Sequence, residues 1–180
     1  MKIGFLICGP SGVGKTTHIE EMLKNAGINK KLKIIDPDKI QADSHKEQSR
    51  LAFTELYNTI HLDNSFVYIG TCGGTREISQ ILYSMKQKKY RTIIAISYTS
   101  LGTALSRIEK RIEQPVPEEV IKDLHQFFKR KAEKYMTMDN LDEIYLYNNE
   151  KDFNLLLSKK SNKIVCSGLT DFYFDISKYC

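Results

Sequence analysis

Several features are missing from this sequence, and each absence removes a class of protein. No apolar run approaches the ~20 residues that a membrane-spanning helix requires, so no span is expected. The N-terminus enters an apolar strand directly and leaves no room for a cleavable leader, which makes a cytoplasmic location the expectation. Internal repeats and low-complexity tracts are absent, which excludes solenoids and disordered linkers. The 4 cysteines, Cys8, Cys72, Cys166 and Cys180, form no C-x-x-C and have no paired histidines. They read as reduced intracellular thiols, neither a zinc site nor a disulfide frame. No N-K-x-D-like guanine signature occurs, which argues against a GTP switch.

What is present fits one soluble globular unit: 180 residues, 41% of them hydrophobic, enough to bury a proper core. The formal charge is +5, and it is unevenly spread. Between Lys86 and Lys134 there are 12 Lys/Arg against 6 Asp/Glu. A basic middle segment suits phosphate-bearing substrates, although many of these lysines also fit a solvated helix face.

The most informative segment is Gly9-Pro-Ser-Gly-Val-Gly-Lys-Thr16, a P-loop directly after the apolar run Lys2–Cys8. A phosphate chain must be met by many donors at close range. Glycines let the backbone curl so that successive N–H groups point inward as an anion nest. Gly9, Ser11, Gly12, Val13, Gly14, Lys15, Thr16 and Thr17 are therefore the expected nucleotide-binding residues. Lys15 can reach the β- and γ-phosphates, and the Thr16 hydroxyl can ligate Mg²⁺. A helix is expected from Lys15, with Ile19, Met22, Leu23 and Ala26 on its buried face and Gly27 as its stop.

Strands alternate with helical patterns along the rest of the chain, which predicts an α/β fold with a five-stranded parallel sheet. The further strands are expected at Leu32–Ile35, Ser65–Ile69, Arg91–Tyr98 and Glu143–Tyr147. Helices are expected around Glu47–His61, after Gly74, from Ser100 or Thr103, and from Pro117 to about Tyr135. The last of these offers Val120, Leu124, Phe127, Phe128 and Tyr135 as core residues. Residues 1–150 read as the main domain and 151–180 as an extension packed on it, with Ile164–Cys166 and Phe172–Ile176 as candidate strands.

In open parallel sheets ligands bind at the carboxyl ends of the strands. That places Asp36-Pro37-Asp38, Gly70–Gly74 and Tyr98–Ser100 around the same crevice as the P-loop. A carboxylate there can take a proton from an attacking hydroxyl. Arg107 and Arg111, four residues apart, share a helix face just before a proline-bounded turn. On a closing lid they can neutralise charge on a transferring phosphoryl group, or they can pair with Glu109 and Glu113 on the surface. His18, His45, His61 and His125 are scattered and read as helix-surface residues, His18 alone lying near the loop.

Taken together, GPSGVGKTT at 9–17, IDPDKIQ at 35–41, YIGTCGGT at 68–75 and RIEKRIEQPVPEEVI at 107–121 resemble small P-loop kinases of the zeta-toxin and polynucleotide-kinase type. The resemblance covers roughly residues 1–150. It implies a P-loop NTPase fold with helices on both faces of the sheet and a helical, Arg-bearing lid. It also implies Asp38 as the base toward the acceptor hydroxyl, with Asp36 second. Gln41 stands where the polynucleotide-type pattern has an arginine. Gly70 and Ile69 stand where these groups carry an acidic residue after or at the end of the third strand.

The resulting expectation is an ATP- and Mg²⁺-dependent kinase with Lys15, Asp38, Arg107 and Arg111 as its catalytic set. The acceptor is a small nucleotide-linked or nucleoside-type molecule, as in zeta toxins, or a nucleic-acid 5′-hydroxyl, as in polynucleotide kinases. A nucleotide-binding regulatory module without phosphotransfer is the alternative, motivated by the absent acidic residue on the third strand.

Overall fold

The computed structural model describes residues 1–73, 75–110, 116–161 and 163–180. Seven strands form one sheet in the order β2-β3-β1-β4-β5-β6-β7. They are β1 (Lys2–Cys8), β2 (Lys33–Ile35), β3 (Phe66–Gly70), β4 (Tyr90–Tyr98), β5 (Glu143–Asn148), β6 (Asn154–Lys160) and β7 (Lys163–Cys166). β1 to β5 are parallel, as the alternating sequence predicts. The sheet is larger than the five strands expected, because β6 and β7 add to β5 as an antiparallel hairpin. β6 has the sequence NLLLSKK, too short an apolar run to announce itself. Phe172–Ile176 is not a strand; the chain there leads into a short 3₁₀ turn at Ile176–Tyr179.

The helices are α1 (Ile19–Asn25), α2 (His45–His61), α3 (Thr75–Gln87), α4 (Leu101–Glu109) and α5 (Glu118–Lys131). β1 shows why they take both faces: alternate side chains point to opposite sides of a strand. Phe5 and Ile7 join Ile19 and Met22 of α1, and Ala26 just beyond it, in one core. Leu6 and Cys8 join Leu56, Ile81, Leu82 and Phe128 of α2, α3 and α5 in the other.

Two sequence expectations are corrected by this packing. Of the core residues expected there, Phe128 and Tyr135 are buried but Val120 and Phe127 are exposed, and Ile121 and His125 complete the buried stripe of α5. Residue 120 lies one position, about 100° of helix, away from the buried phase. The cysteines are not free thiols: Cys8 is bonded to Cys72 and Cys166 to Cys180. Spacing in the chain hides the first pair, since β1 and β3 are neighbours and their carboxyl ends put residues 64 apart within a Cα–Cα distance of 5.3 Å.

Candidate active site

The loop after β1 carries positive φ at Gly12 (83°) and Gly14 (80°), where a side chain is strained. Space forbids one as well: a Cβ on Gly12 would come within 2.7 Å of the Ala104 carbonyl, and one on Gly14 within 2.2 Å of Asn149 Nδ2. Regular helix begins at Ile19, four residues later than expected. Residues 15–18 form turns instead, with the Thr17 N–H donating to the Gly14 carbonyl at 3.3 Å. The Lys15 ammonium lies over the loop, donating to the carbonyls of Gly9 and Pro10 at 2.8 Å each.

A cavity of about 580 Å³ opens beside this loop. Its wall includes Lys15 and Thr16, both Asp36 and Asp38, and the turn Thr71–Gly73 after β3. Asp36 is buried and accepts a hydrogen bond from the Asp38 N–H at 3.1 Å, which caps the short 3₁₀ turn started by Pro37. Desolvation holds the Asp36 carboxyl above the usual carboxylate range; the Asp38 N–H, Lys39 and Lys15 oppose this and the Asp38 charge adds to it. Asp38 is exposed to the cavity, and its carboxylate makes no hydrogen bond among the described residues. Proline thus divides the pair into one carboxylate committed to the turn and one facing open space.

α2 supplies the opposite wall. Ser44 caps it by accepting from the Glu47 N–H at 3.2 Å. Lys46, Ser49, Arg50 and Phe53 follow at i, i+3, i+4 and i+7, so one helix face lines the cavity with two cations, a hydroxyl and a ring. Phe53 also packs on Tyr68, their ring centroids 5.5 Å apart. Glu77 of α3 completes the polar lining.

Cys72 lies on the same wall, tied to the base of the P-loop through Cys8. Its φ of 51° is unusual for a residue with a side chain. The Tyr135 hydroxyl donates to the Cys72 carbonyl and helps to fix that turn.

Arg107 of α4 turns its guanidinium onto backbone carbonyls: Asn149 at 2.7 Å, Glu150 at 3.4 Å and Gly12 at 3.5 Å. Arg111 lies outside the described residues. His125, expected on a helix surface, is buried, and its Nε2 lies 3.3 Å from the Ser11 carbonyl. Burial pushes its pKa down, the Ser11 contact opposes this, and the Lys15 charge reinforces it. A histidine on the stripe Ile121–His125–Phe128 was the available signal.

The segment after β5 is a strand end of the same kind and also reaches the loop. Asn149 Nδ2 donates to the Val13 carbonyl at 3.0 Å. Burial would raise the Glu150 carboxyl, but donors from the Ser100 N–H and the Thr103, Ser100 and Thr99 hydroxyls outweigh it, bringing the pKa down to about 2. His18 stacks on Phe153 at 4.0 Å, and Phe153 on Tyr147 at 4.7 Å. This column of rings stands beside the loop.

No protein-family model matches the sequence, and no curated protein matches it either. Solved structures do match. A chain of the AvrRxo1-ORF1:AvrRxo1-ORF2 complex, solved with ATP, superposes with a TM-score of 0.69 at 14% identity, over 93% of this chain and 61% of that one. This chain therefore spans less than two thirds of that protein's length. A chain of the PezAT chromosomal toxin–antitoxin system of Streptococcus pneumoniae gives a TM-score of 0.67 at 19% identity, covering 93% and 75%. A chain of the Pnkp1/Rnl/Hen1 RNA repair complex gives 0.57 at 12%, covering 74% and 46%. The chain is thus similar in fold to chains of a toxin–antitoxin system and of an RNA repair complex, in line with the resemblance that its motifs carry.

Proposed function

We propose that this chain is an ATP-dependent kinase that moves a γ-phosphoryl group onto an alcohol. The observation that carries the reading is that one cavity is bounded both by the P-loop, with Lys15 and Thr16, and by the open carboxylate of Asp38. The neighbour solved with ATP supports the choice of donor. Phosphoryl transfer asks a protein mainly for positioning and for cations around the moving charge, and these walls supply both. In this reading the loop residues 9–17 bind the triphosphate, and Asp38 orients the acceptor hydroxyl and takes its proton. Arg111 supplies the lid cation that neutralises the transferring group.

Mg²⁺ fits the donor set, because Thr16 and the carboxylates of the cavity are hard oxygen ligands and this ion keeps much of its water. It would be held through the Thr16 hydroxyl and would neutralise phosphate charge.

The α2 face favours an acceptor that is both anionic and aromatic. Lys46 suits a phosphate, Arg50 beside it is held by the Glu47 carboxylate, and Phe53 against Tyr68 offers a surface for a planar base. Gln41, standing where the polynucleotide-type pattern has an arginine, ranks a nucleotide-linked or nucleoside-type acceptor ahead of a nucleic-acid 5′-end. Residues 1–150 would form the kinase domain, with 151–180 as an extension on it.

Paired measurements test the reading: calorimetry with ATP–Mg²⁺, and ³²P transfer, on the wild type, Lys15→Ala and Asp38→Asn. Lys15→Ala should lose both. Asp38→Asn should keep ATP affinity and lose transfer by roughly 10²–10⁴-fold. A second reading, a nucleotide-binding module without phosphotransfer, draws on Ile69 and Gly70 at the end of β3, where the kinases that the motifs resemble carry an acidic residue. ATP binding without transfer by the wild type would favour it.

A further inference from the structure

Three consecutive peptide carbonyls of the P-loop are each held from outside by a side chain from a different part of the fold. His125 of α5 donates to Ser11, Arg107 of α4 lies on Gly12, and Asn149 after β5 donates to Val13. Ser97 of β4 adds a second donor to Val13 at 3.3 Å. None of these four residues belongs to the P-loop motif.

A trans peptide sets the C=O of one residue antiparallel to the N–H of the next, and no cis bond occurs among the described residues. Fixing the carbonyls of residues 11, 12 and 13 therefore fixes the N–H groups of Gly12, Val13 and Gly14. Those are the donors that an anion nest needs. Glycines alone cannot supply this order, because their freedom lets the same peptides flip. We propose that His125, Arg107 and Asn149 are positioning residues that pre-set the P-loop peptides for a polyphosphate. This rests on the nucleotide-binding part of the reading above and adds to it where phosphate affinity is made.

The burial of the holders supports a specific function over a chance surface contact. His125 is 7% exposed and Asn149 5% exposed, and both polar heads are directed at the loop. His125 occupies an apolar stripe position that a leucine would fill at no polar cost. A donor at that spot, aimed at Ser11, ties α5 to the loop.

The test is calorimetry of the full chain with two probes, ATP–Mg²⁺ and inorganic tripolyphosphate, alongside thermal melting and steady-state kinetics. His125→Leu keeps the packing and removes the donor. It should weaken both probes by roughly 5- to 20-fold, as expected when a buried carbonyl loses its partner. KM for ATP should rise by a similar factor while kcat changes little. His125→Gln, whose amide can reach the same carbonyl, should regain most of the affinity.

Asn149→Leu, read the same way, serves if His125→Leu does not fold. Native-like melting with unaltered affinity for both probes in a folded variant would overturn the proposal. So would a loss that His125→Gln fails to restore. A wild type that binds neither probe would instead overturn the nucleotide-binding reading itself, so the two failures are distinguishable.

Discussion

At the scale of single residues, the site shows the same side chain type put to different uses by its surroundings. Asp36 is drawn into the backbone as a cap while Asp38, two residues on, faces the cavity. Glu150 is a third case. Its carboxylate gathers donors from Thr99, Ser100 and Thr103, closing the start of α4 against the end of β5. A group whose pKa is depressed in the folded state contributes stability above its unfolded value, and that contribution disappears as pH falls through the folded value. For Glu150 the window runs from the ordinary glutamate value of 4.5 down to about 2. Glu150→Gln should therefore be less stable than the wild type at neutral pH, with the difference shrinking across that window. Thermal melts from pH 7 to pH 2 check this; curves that stay parallel to the lowest pH would contradict it. Because Glu150 is partly exposed, solvent screening keeps the effect modest.

At the scale of elements, α5 is the most instructive. Its acidic start and basic end suit a helix dipole, and its start follows from Pro117 and the carboxylates after it, while regular helix ends at Lys131, short of Tyr135. Its rotation does not follow, because Val120, Leu124 and Phe127 compete with Ile121, His125 and Phe128 for the sheet. The latter set wins through Phe128, which meets Tyr173 edge to face at a centroid distance of 4.9 Å. Phe128→Ala should cost about 3–5 kcal/mol of stability, and Val120→Ala no more than about 0.5 kcal/mol. Urea unfolding of the two variants measures the contrast, and equal losses would place the wrong face inward. The central parallel strands β1, β3, β4 and β5 were legible to within a residue or two because each is a nearly continuous apolar run buried on both faces. α3 was equally clear, with Ile78, Ile81, Leu82 and Met85 all buried. The first turn after the P-loop was not, since Lys15 closes on loop carbonyls there and no helical periodicity reports that.

At the scale of the whole molecule, the tail was hidden for a related reason. Phe172, Tyr173 and Phe174 look like strand residues, yet their rings pack around Tyr98, Phe128 and Tyr179 and take the backbone away from the sheet. Long-range pairing also escaped the sequence, the disulfides above all. The Cys8–Cys72 bond closes 64 residues and the Cys166–Cys180 bond 14. On the chain-entropy account these contribute roughly 4 and 3 kcal/mol respectively. Cys8→Ala with Cys72→Ala should thus lower the melting temperature more than Cys166→Ala with Cys180→Ala, and the first pair also leaves a gap in the core. The reverse order in scanning calorimetry would argue that the longer link is dispensable.

The crevice itself was legible where motifs mark it, in the P-loop and in Asp36-Pro37-Asp38. The supports behind it, His125 and Asn149, come together only through tertiary folding. The most direct measurement of the central claim is transfer of ³²P from γ-labelled ATP across a panel of nucleosides, nucleotides, nucleotide sugars and 5′-hydroxyl oligonucleotides. A labelled product should form with a phosphate-bearing nucleotide-type acceptor and vanish with Asp38→Asn. Tight ATP binding with no labelled acceptor anywhere in that panel would contradict the account.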